Sequence, residues 1–270
     1  MTKDDPRYAC SPPRPAAATR PGADYFRAVD DAYSLFHFII DTALSGDHAL
    51  FEVRQLLDGV EPEDIPSPVA LAEKTPGPRL RFLRRKRQLL FEMLLGRLVD
   101  GFQTYLVGLI KTVLRTKPEM LASRQPTVSI EDVLRHSTIE DLLHEVIERR
   151  VGNLAYEGFG ALESWCLERG IEIPVSEADR AKIVEVIATR NLIAHAHGCV
   201  DERYLKAFPG SGFAVGNKRP IDGDYYFDAL TRLQSLVSAI DARAIEKFKL
   251  PVEEIAPQGT PDSTGPRGDA

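Results

Sequence analysis

A long helical pattern over residues 79–117 constrains the fold of this chain more than any other feature. Pro118 ends the pattern, because a proline cannot continue a helix. Residues 89–114 form the most apolar long stretch, but that stretch carries Glu92, Arg97, Asp100 and Lys111. Charges are costly inside a bilayer, so we expect a buried amphipathic helix, straight or kinked at a glycine, and no membrane span.

The rest of the chain also reads as helical. Residues 24–57 repeat apolar side chains at helical spacing, as one helix or as two separated at Ser45-Gly46-Asp47. Five prolines make residues 60–78 a predicted loop. Further helices are predicted at about 129, over 138–168, over 176–198, over 201–207 and over 224–249, with a small β-hairpin within 208–223.

These elements predict an all-α fold with a helical bundle at its centre and a long N-terminal helical extension. The helical domain is placed at residues 23–250, with its core at about 79–250. Residues 1–22 are polar and rich in Pro and Ala, without the apolar core of an export signal. We predict disordered tails at residues 1–22 and 251–270.

Composition narrows the function classes. The formal net charge of -6 argues against a protein that coats nucleic acid through bulk charge, although it leaves room for a local basic groove. The three cysteines are widely spaced and match neither a zinc nor a disulfide framework. We therefore expect reduced thiols and a cytoplasmic protein.

One segment carries most of the chemistry. Residues 188–198, Ala-Thr-Arg-Asn-Leu-Ile-Ala-His-Ala-His-Gly, place Arg190, Asn191, His195 and His197 on about two turns of a predicted helix. Arginine can hold a phosphate with a planar fork of donors, and histidine can move a proton near neutral pH. The combination suits cleavage of a phosphodiester.

Two histidines compete for the catalytic position. At about 100° per residue, His195 lies about 140° from Arg190, whereas His197 lies about 20° from it if the helix continues that far. His195 lies about 40° from Asn191, and Gly198 favours a helix end before His197. We predict His195 as the catalytic histidine and keep His197 as the alternative.

The Arg-Asn-x-x-x-His pattern, late in a helix and followed by Gly198, resembles the HEPN superfamily. The preceding long helix, the Pro-Val-Ser-Glu loop and the following Gly-Cys-Val-Asp-Glu-Arg-Tyr-Leu strengthen the likeness, which is closest to the RiboL-PSP-HEPN and related bacterial HEPN groups. It covers roughly residues 90–249. The chain has His-Ala-His-Gly where the family frequently has His-Asn-x-Gly.

The resemblance implies a homodimer in which two motifs form a composite site, and a metal-independent endoribonuclease in toxin or phage-defence RNA cleavage. Arg190 and His195 take the active positions and Asn191 the polar helper position. It implies RNA, single-stranded or tRNA, as the substrate, no metal or other cofactor, and a protein partner such as an antitoxin or a sensor. The alternatives are a non-catalytic HEPN scaffold or antitoxin-like module, and a helical adaptor outside this family.

A second candidate region is basic. Arg81, Arg84, Arg85, Lys86 and Arg87 can follow an RNA backbone, or can form the solvated start of a helix. Cations at a helix N-terminus oppose the helix dipole, and an anionic partner would relieve that conflict.

For three weaker candidate sites we expect an ordinary structural role and no part in function. Residues 225–227 (Tyr-Tyr-Phe) are expected to pack, Asp201 and Glu202 to start a helix, and His136 and His144 to bind no metal.

Overall fold

A long helix, Pro78–Thr116, lies at the centre of the other helices, and its buried residues fall between Phe91 and Leu114. The computed structural model describes residues 14–121 and 128–255, and within these ranges the fold is all-α, as predicted. Two short 3₁₀ turns occur at Pro62–Asp64 and Pro118–Leu121. In chain order the elements are β1 (Ala17–Ala18), α1 (Arg20–Leu57), α2 (Pro68–Lys74), α3 (Pro78–Thr116), α4 (Ile130–Arg135), α5 (Ile139–Glu157), α6 (Phe159–Glu168), α7 (Glu177–Ala196), α8 (Glu202–Ala207), α9 (Gly223–Phe248) and β2 (Glu253–Glu254).

The core forms where α1, α5, α6, α7 and α9 pack against α3. Leu95, Phe102 and Ile110 of α3 are fully buried at its centre. Aromatic contacts join the helices, among them Phe36 of α1 with Phe91 of α3 at a ring separation of 5.9 Å. The predicted amphipathic helix over 79–117 is confirmed, and its contacts with five other helices place it at the centre of the fold.

Helix α1 is one helix and does not break at Ser45-Gly46-Asp47. The carboxylate of Asp47 accepts the backbone N–H groups of Arg79 and Leu80, at 3.1 and 2.9 Å, and so caps α3 instead of forming a turn of its own. Gly77, which starts α3, lies so close that an added Cβ would meet the Asp47 carboxylate. A long-range contact therefore keeps the polar triplet helical.

Two other boundaries differ from the predictions. Residues 60–78 are not simply a loop, because Ser67 caps the short helix α2 and Pro68 occupies its first position. The predicted helix over 138–168 is divided into α5 and α6 at Gly158, whose φ of 94° lies in the region that favours glycine.

The predicted disordered tails were too long, since residues 14–22 and 251–255 are ordered. Strands β1 and β2 pair antiparallel, with Ala17 opposite Glu254, and the Ile255 N–H donates to the carbonyl of Ala16 at 2.9 Å. Thr19 begins α1 and is fully buried. The remainder of both predicted tails lies outside the described residues.

The β-hairpin predicted within 208–223 is not formed. That segment turns back to the residues after α7, where the Val200 N–H donates to the carbonyl of Asn217 and the Gly216 N–H donates to the carbonyl of Val200. An isolated antiparallel bridge joins Cys199 and Lys218. Some backbone groups of the loop thus bond to the α7 exit, while others bond within the loop, where the Ser211 N–H donates to Phe208 and the Asn217 N–H to Ala214.

Helix α3 is the one helix of the described chain that is long and apolar enough to cross a membrane. Half of its most apolar window is buried inside the protein, a pattern that core helices of soluble proteins also show. This feature is weak evidence for a membrane span.

A buried carboxylate joins the start of α1 to α9. Asp241 accepts the Thr19 backbone N–H at 2.8 Å, the Thr19 hydroxyl at 2.6 Å and the Tyr105 hydroxyl at 3.2 Å. Burial raises the pKa of Asp241, and these hydrogen bonds oppose that shift. Three donors from two distant parts of the chain therefore depend on one side chain.

We predict that Asp241→Ala lowers the free energy of unfolding by about 3 kcal/mol, because the buried donors would lose their acceptor. Urea unfolding at pH 7 measures the change. Asp228→Ala on the exposed face of the same helix is the matched control, with an expected loss below about 0.5 kcal/mol. Equal losses in the two variants would contradict the assignment.

Candidate functional site

Helix α7 carries the Arg-Asn-x-x-x-His motif and has well-defined ends. The Ser176 hydroxyl accepts the Asp179 N–H at its start, as predicted. The helix ends at Ala196, and His197 follows with a φ of 52°. The Gly198 N–H then donates to the carbonyl of Leu192 at 2.8 Å, which closes the helix end.

Arg190 points towards α3. Its guanidinium forms an ion pair with Asp100 at 2.5 Å, and it also donates to the side-chain oxygen of Asn191 at 3.2 Å. Glu185, the preceding acid on α7, does not pair with Arg190 and bonds to Arg219 instead. Arg190 and Asn191 therefore form one polar cluster with a carboxylate of α3.

His195 lies apart from that cluster. Its side chain is exposed in the last turn of α7, and among the described residues no hydrogen bond or ion pair holds its ring. A separation of five residues corresponds to about 7.5 Å along the axis and about 140° around it. Arg190 and His195 of one chain thus face different directions.

His197 does not lie on the helix face predicted for it. Helix α7 ends before this residue, and His197 adopts the left-handed conformation beyond the helix end. Its side chain is exposed, and its carbonyl accepts the Lys218 ammonium at 2.6 Å. The geometry that favoured His197 as the same-face partner of Arg190 is absent.

Lys218 fastens the end of α7 to α3. Besides the His197 carbonyl, it contacts the Glu92 carboxylate at 2.7 Å, and Glu92 is nearly buried. The Gln88 amide donates to Glu92 at 2.9 Å and to the carbonyl of Arg219 at 2.9 Å. These contacts fix the motif end of α7 against α3.

A partly buried polar network centred on Glu185 was not predicted from the sequence. Its carboxylate accepts the Tyr204 hydroxyl at 2.7 Å, the Arg219 guanidinium at 2.7 Å and the Tyr225 hydroxyl at 2.9 Å. The Thr189 hydroxyl also donates to it, at 3.1 Å. One side chain of α7 thereby contacts α8, the 208–222 loop and α9.

Burial alone would raise the pKa of Glu185, but hydrogen bonds from Arg219 and Tyr204 outweigh it and lower the pKa below its usual value. Arg219 lies between the rings of Phe213 and Tyr225, each 4.7 Å from the guanidinium carbon. In the sequence, the only signal was an arginine in a Gly- and Pro-rich loop, and nothing there identified Glu185 as its partner.

The predicted basic residues are all exposed along the first turns of α3. Arg81 donates to the carbonyl of Pro76 and Arg84 to that of Ala72. The anion that relieves the conflict with the helix dipole is Asp47, through the capping contacts described above. No ion pair among the described residues engages Arg85, Lys86 or Arg87.

The weaker candidates have structural roles. Tyr226 and Phe227 are buried in the core, while Tyr225 belongs to the Glu185 network. Asp201 caps α8. His136 contacts Glu145 at 2.8 Å, and the described part of the chain contains no cluster of His, Cys, Asp and Glu able to hold a metal ion.

Two of the three cysteines lie in the described ranges, and both are free. Burial raises the pKa of the Cys166 thiol to about 12, so this thiol is not a nucleophile near neutral pH. Cys199 is half-buried beside the Lys218 bridge. Cys10 lies outside the described residues.

No family model, curated protein or solved structure matches this chain.

The pKa of Glu185 is lower in the folded state than in the unfolded state. The ionised carboxylate therefore stabilises the fold fully above its unfolded pKa of about 4.3. This stabilisation is lost as the pH falls through the folded-state pKa. We predict that Glu185→Gln lowers the free energy of unfolding by about 1–3 kcal/mol at pH 7. The difference from the unmodified protein shrinks below about pH 4.

Urea unfolding of both proteins at pH 7, 5, 4 and 3 measures this difference. Glu131→Gln, at a highly exposed position with one i,i+4 partner, serves as the control and should change stability little at any pH. A difference that stays constant from pH 7 to pH 3 would exclude a stabilising Glu185 carboxylate.

Proposed function

We propose that this protein is a metal-independent endoribonuclease of HEPN type that acts as a homodimer. The observation that carries the proposal is the arrangement on α7, where Arg190 and Asn191 form one polar cluster and His195 is exposed one turn later. All three residues are reachable at the surface or half-buried beside it. A toxin or phage-defence role in the cytoplasm is part of the proposal.

The proposed chemistry needs no metal ion. One histidine removes the proton of the 2′-hydroxyl, whose oxygen attacks the adjacent phosphorus, while a second donates a proton to the departing 5′-oxygen. Arg190 stabilises the charge that develops on the phosphoryl oxygens. The products are a 2′,3′-cyclic phosphate and a 5′-hydroxyl, and DNA is inert because it lacks the internal nucleophile.

The proposed dimer supplies a second copy of the Arg190 and His195 motif, which one chain lacks. Within a protomer Arg190 and His195 diverge, so an acid and a base on opposite sides of a phosphate require a second motif. Along α3, Leu89 and Met93 are apolar yet 53% and 65% exposed. They lie on the stretch that runs beside the α7 end, which supports a protein contact next to the motif.

The basic residues of α3 are proposed to hold the RNA. Arg81, Arg85 and Glu92 share a helix face with Gln88, because intervals of three, four and seven residues return to nearly the same side. Gln88 and Glu92 contact the loop beside the α7 end. Arg81 and Arg85, together with Arg84, therefore continue the surface that leads to His195, whereas Lys86 and Arg87 extend the positive charge to other sides of the same turns.

We predict that the purified protein cleaves single-stranded RNA or tRNA in EDTA and leaves cyclic-phosphate ends. Arg190→Ala and His195→Ala should each reduce kcat/KM at least about 100-fold, since each removes a group that acts on the reacting atoms. His197→Ala should stay within about tenfold of the unmodified enzyme. Gel analysis of end-labelled RNA, with circular dichroism to verify folding, gives these values.

An unchanged rate for Arg190→Ala and His195→Ala would point to a contaminating nuclease. Loss of activity in His197→Ala but not in His195→Ala would transfer the role to His197. Absence of cleavage in the unmodified protein would contradict the proposal in favour of the alternative below.

A second candidate function is a non-catalytic HEPN scaffold or antitoxin-like partner of another protein. The specific observation is that Asp100 already neutralises Arg190, as a structural ion pair would. If the pair is only structural, Arg190→Ala and Asp100→Ala should cost similar unfolding free energy and the double variant no more. If Arg190 acts on RNA, Asp100→Ala should retain cleavage within about tenfold while Arg190→Ala does not.

A further inference from the structure

A basic groove runs between the start of α1 and the second half of α3. Its volume is about 400 Å³. Cationic and hydroxyl-bearing side chains dominate its lining, and we call it the Arg97 groove. It is lined by Arg20, Tyr25, Arg97, Thr104, Lys111 and Arg115, among others.

The α3 side of the groove is linear. Arg97, Thr104, Lys111 and Arg115 are separated by seven, seven and four residues. Such intervals return to nearly the same face of a helix, so these side chains form one row. From Arg97 to Arg115 the row is about 27 Å long at 1.5 Å per residue. That length suits several nucleotides of an extended strand.

The charge of the groove is net positive. Lys111 and Arg115 share Glu148, and Asp24, the acidic residue of the lining, pairs with Arg27 at 2.6 Å. Arg20 and Arg97 are exposed, and neither has an ion pair within the described residues. Two arginines are thus available to an outside anion.

The wall of the groove holds an unused donor. The Tyr25 side chain is 3% exposed, and its hydroxyl has no hydrogen-bond partner among the described residues. Burial raises the pKa of Tyr25, so the hydroxyl keeps its proton. Gly108 lets α1 approach closely, since a Cβ at this position would lie 2.9 Å from Pro21.

The groove begins beside the motif. Arg97 is less than one turn from Asp100, the residue that holds Arg190. Lys86 lies eleven residues before Arg97, an interval that again returns to nearly the same face. Along the axis of α3, cations of this face therefore lie on both sides of the segment that contacts the α7 motif, with Lys86 before it and the Arg97 groove after it.

We propose that the Arg97 groove binds the phosphodiester backbone of single-stranded RNA that extends beyond the cleavage site, through Arg20 and Arg97. This inference rests on the proposed function for the direction in which the strand leaves the motif. The contacts are to phosphates, so binding is independent of base sequence, and single-stranded DNA binds the groove without being cleaved.

The test measures binding without turnover. The full chain with His195→Ala is titrated against a fluorescein-labelled 12-nucleotide RNA, followed by anisotropy in EDTA at 50 to 200 mM salt. Addition of Arg20→Ala and Arg97→Ala should weaken binding about tenfold at 50 mM salt and lower the slope of log Kd against log salt by about 1.4, or about 0.7 per lost phosphate contact.

The matched control replaces two exposed arginines elsewhere, Arg54 and Arg243, by alanine. Arg97→Lys is the rescue variant, because an ammonium also pairs with a phosphate, and it should restore most of the slope. A slope for the groove variant equal to that of the control would overturn the inference, as would failure of every protein to bind RNA.

A cleavage arm separates this inference from the proposed function. With His195 intact, Arg20→Ala/Arg97→Ala should leave kcat/KM for a dinucleotide unchanged and reduce it for the 12-mer, mainly through KM. If RNA is bound through the groove but never cleaved, the groove inference is supported and the nuclease proposal fails. If RNA is cleaved and the groove variant binds like the control, the groove inference alone fails.

Discussion

The Glu185 carboxylate is the contact on which the arrangement of the motif depends. It is partly buried in the C-terminal part of the bundle and accepts hydrogen bonds from α8, α9 and the loop before α9. A carboxylate in such a place is costly unless it is paired and hydrogen-bonded, and here Arg219 and two tyrosines meet that need. The same side chain stands five residues before Arg190, so the network orients the helix that presents the motif.

Two ion pairs then set how α7 lies on α3. Arg190 meets Asp100, and near Gly198 Lys218 joins the α7 end to Glu92. Gly198 follows Arg190 by eight residues, whereas Glu92, which neighbours Gly198, precedes Asp100 by eight residues on α3. The two helices are therefore antiparallel. As a result the exposed turn with His195 lies level with the part of α3 between the predicted basic residues and the Arg97 groove.

Periodicity and capping residues in the sequence identified the helices whose formation depends on neighbouring residues. The long apolar helix α3 and the caps at Ser129, Ser176 and Asp201 could all be predicted, since periodicity and capping act within a few residues. The continuity of α1 could not, because Asp47 acts on α3, and the order of residues 14–22 could not, because Thr19 depends on Asp241.

In the candidate site too, the residues could be predicted from local sequence but their partners could not. Residue types and spacing pointed to Arg190, Asn191 and His195, but the partners Asp100 and Glu185 come together only through tertiary packing. The angle assigned to His197 was wrong because it extrapolated a helix beyond the end that the αL residue and Gly198 define.

The pairing of β1 with β2 bears on how the molecule responds to force. The described ends of the chain leave this two-residue ladder on the same side, since Ala17 lies opposite Glu254 and Ile255 bonds to Ala16. Tension applied between the two ends would open such a ladder one hydrogen bond at a time and so at low load. The first strong resistance would then come from Thr19 and Asp241, whose rupture would release the start of α1 from α9.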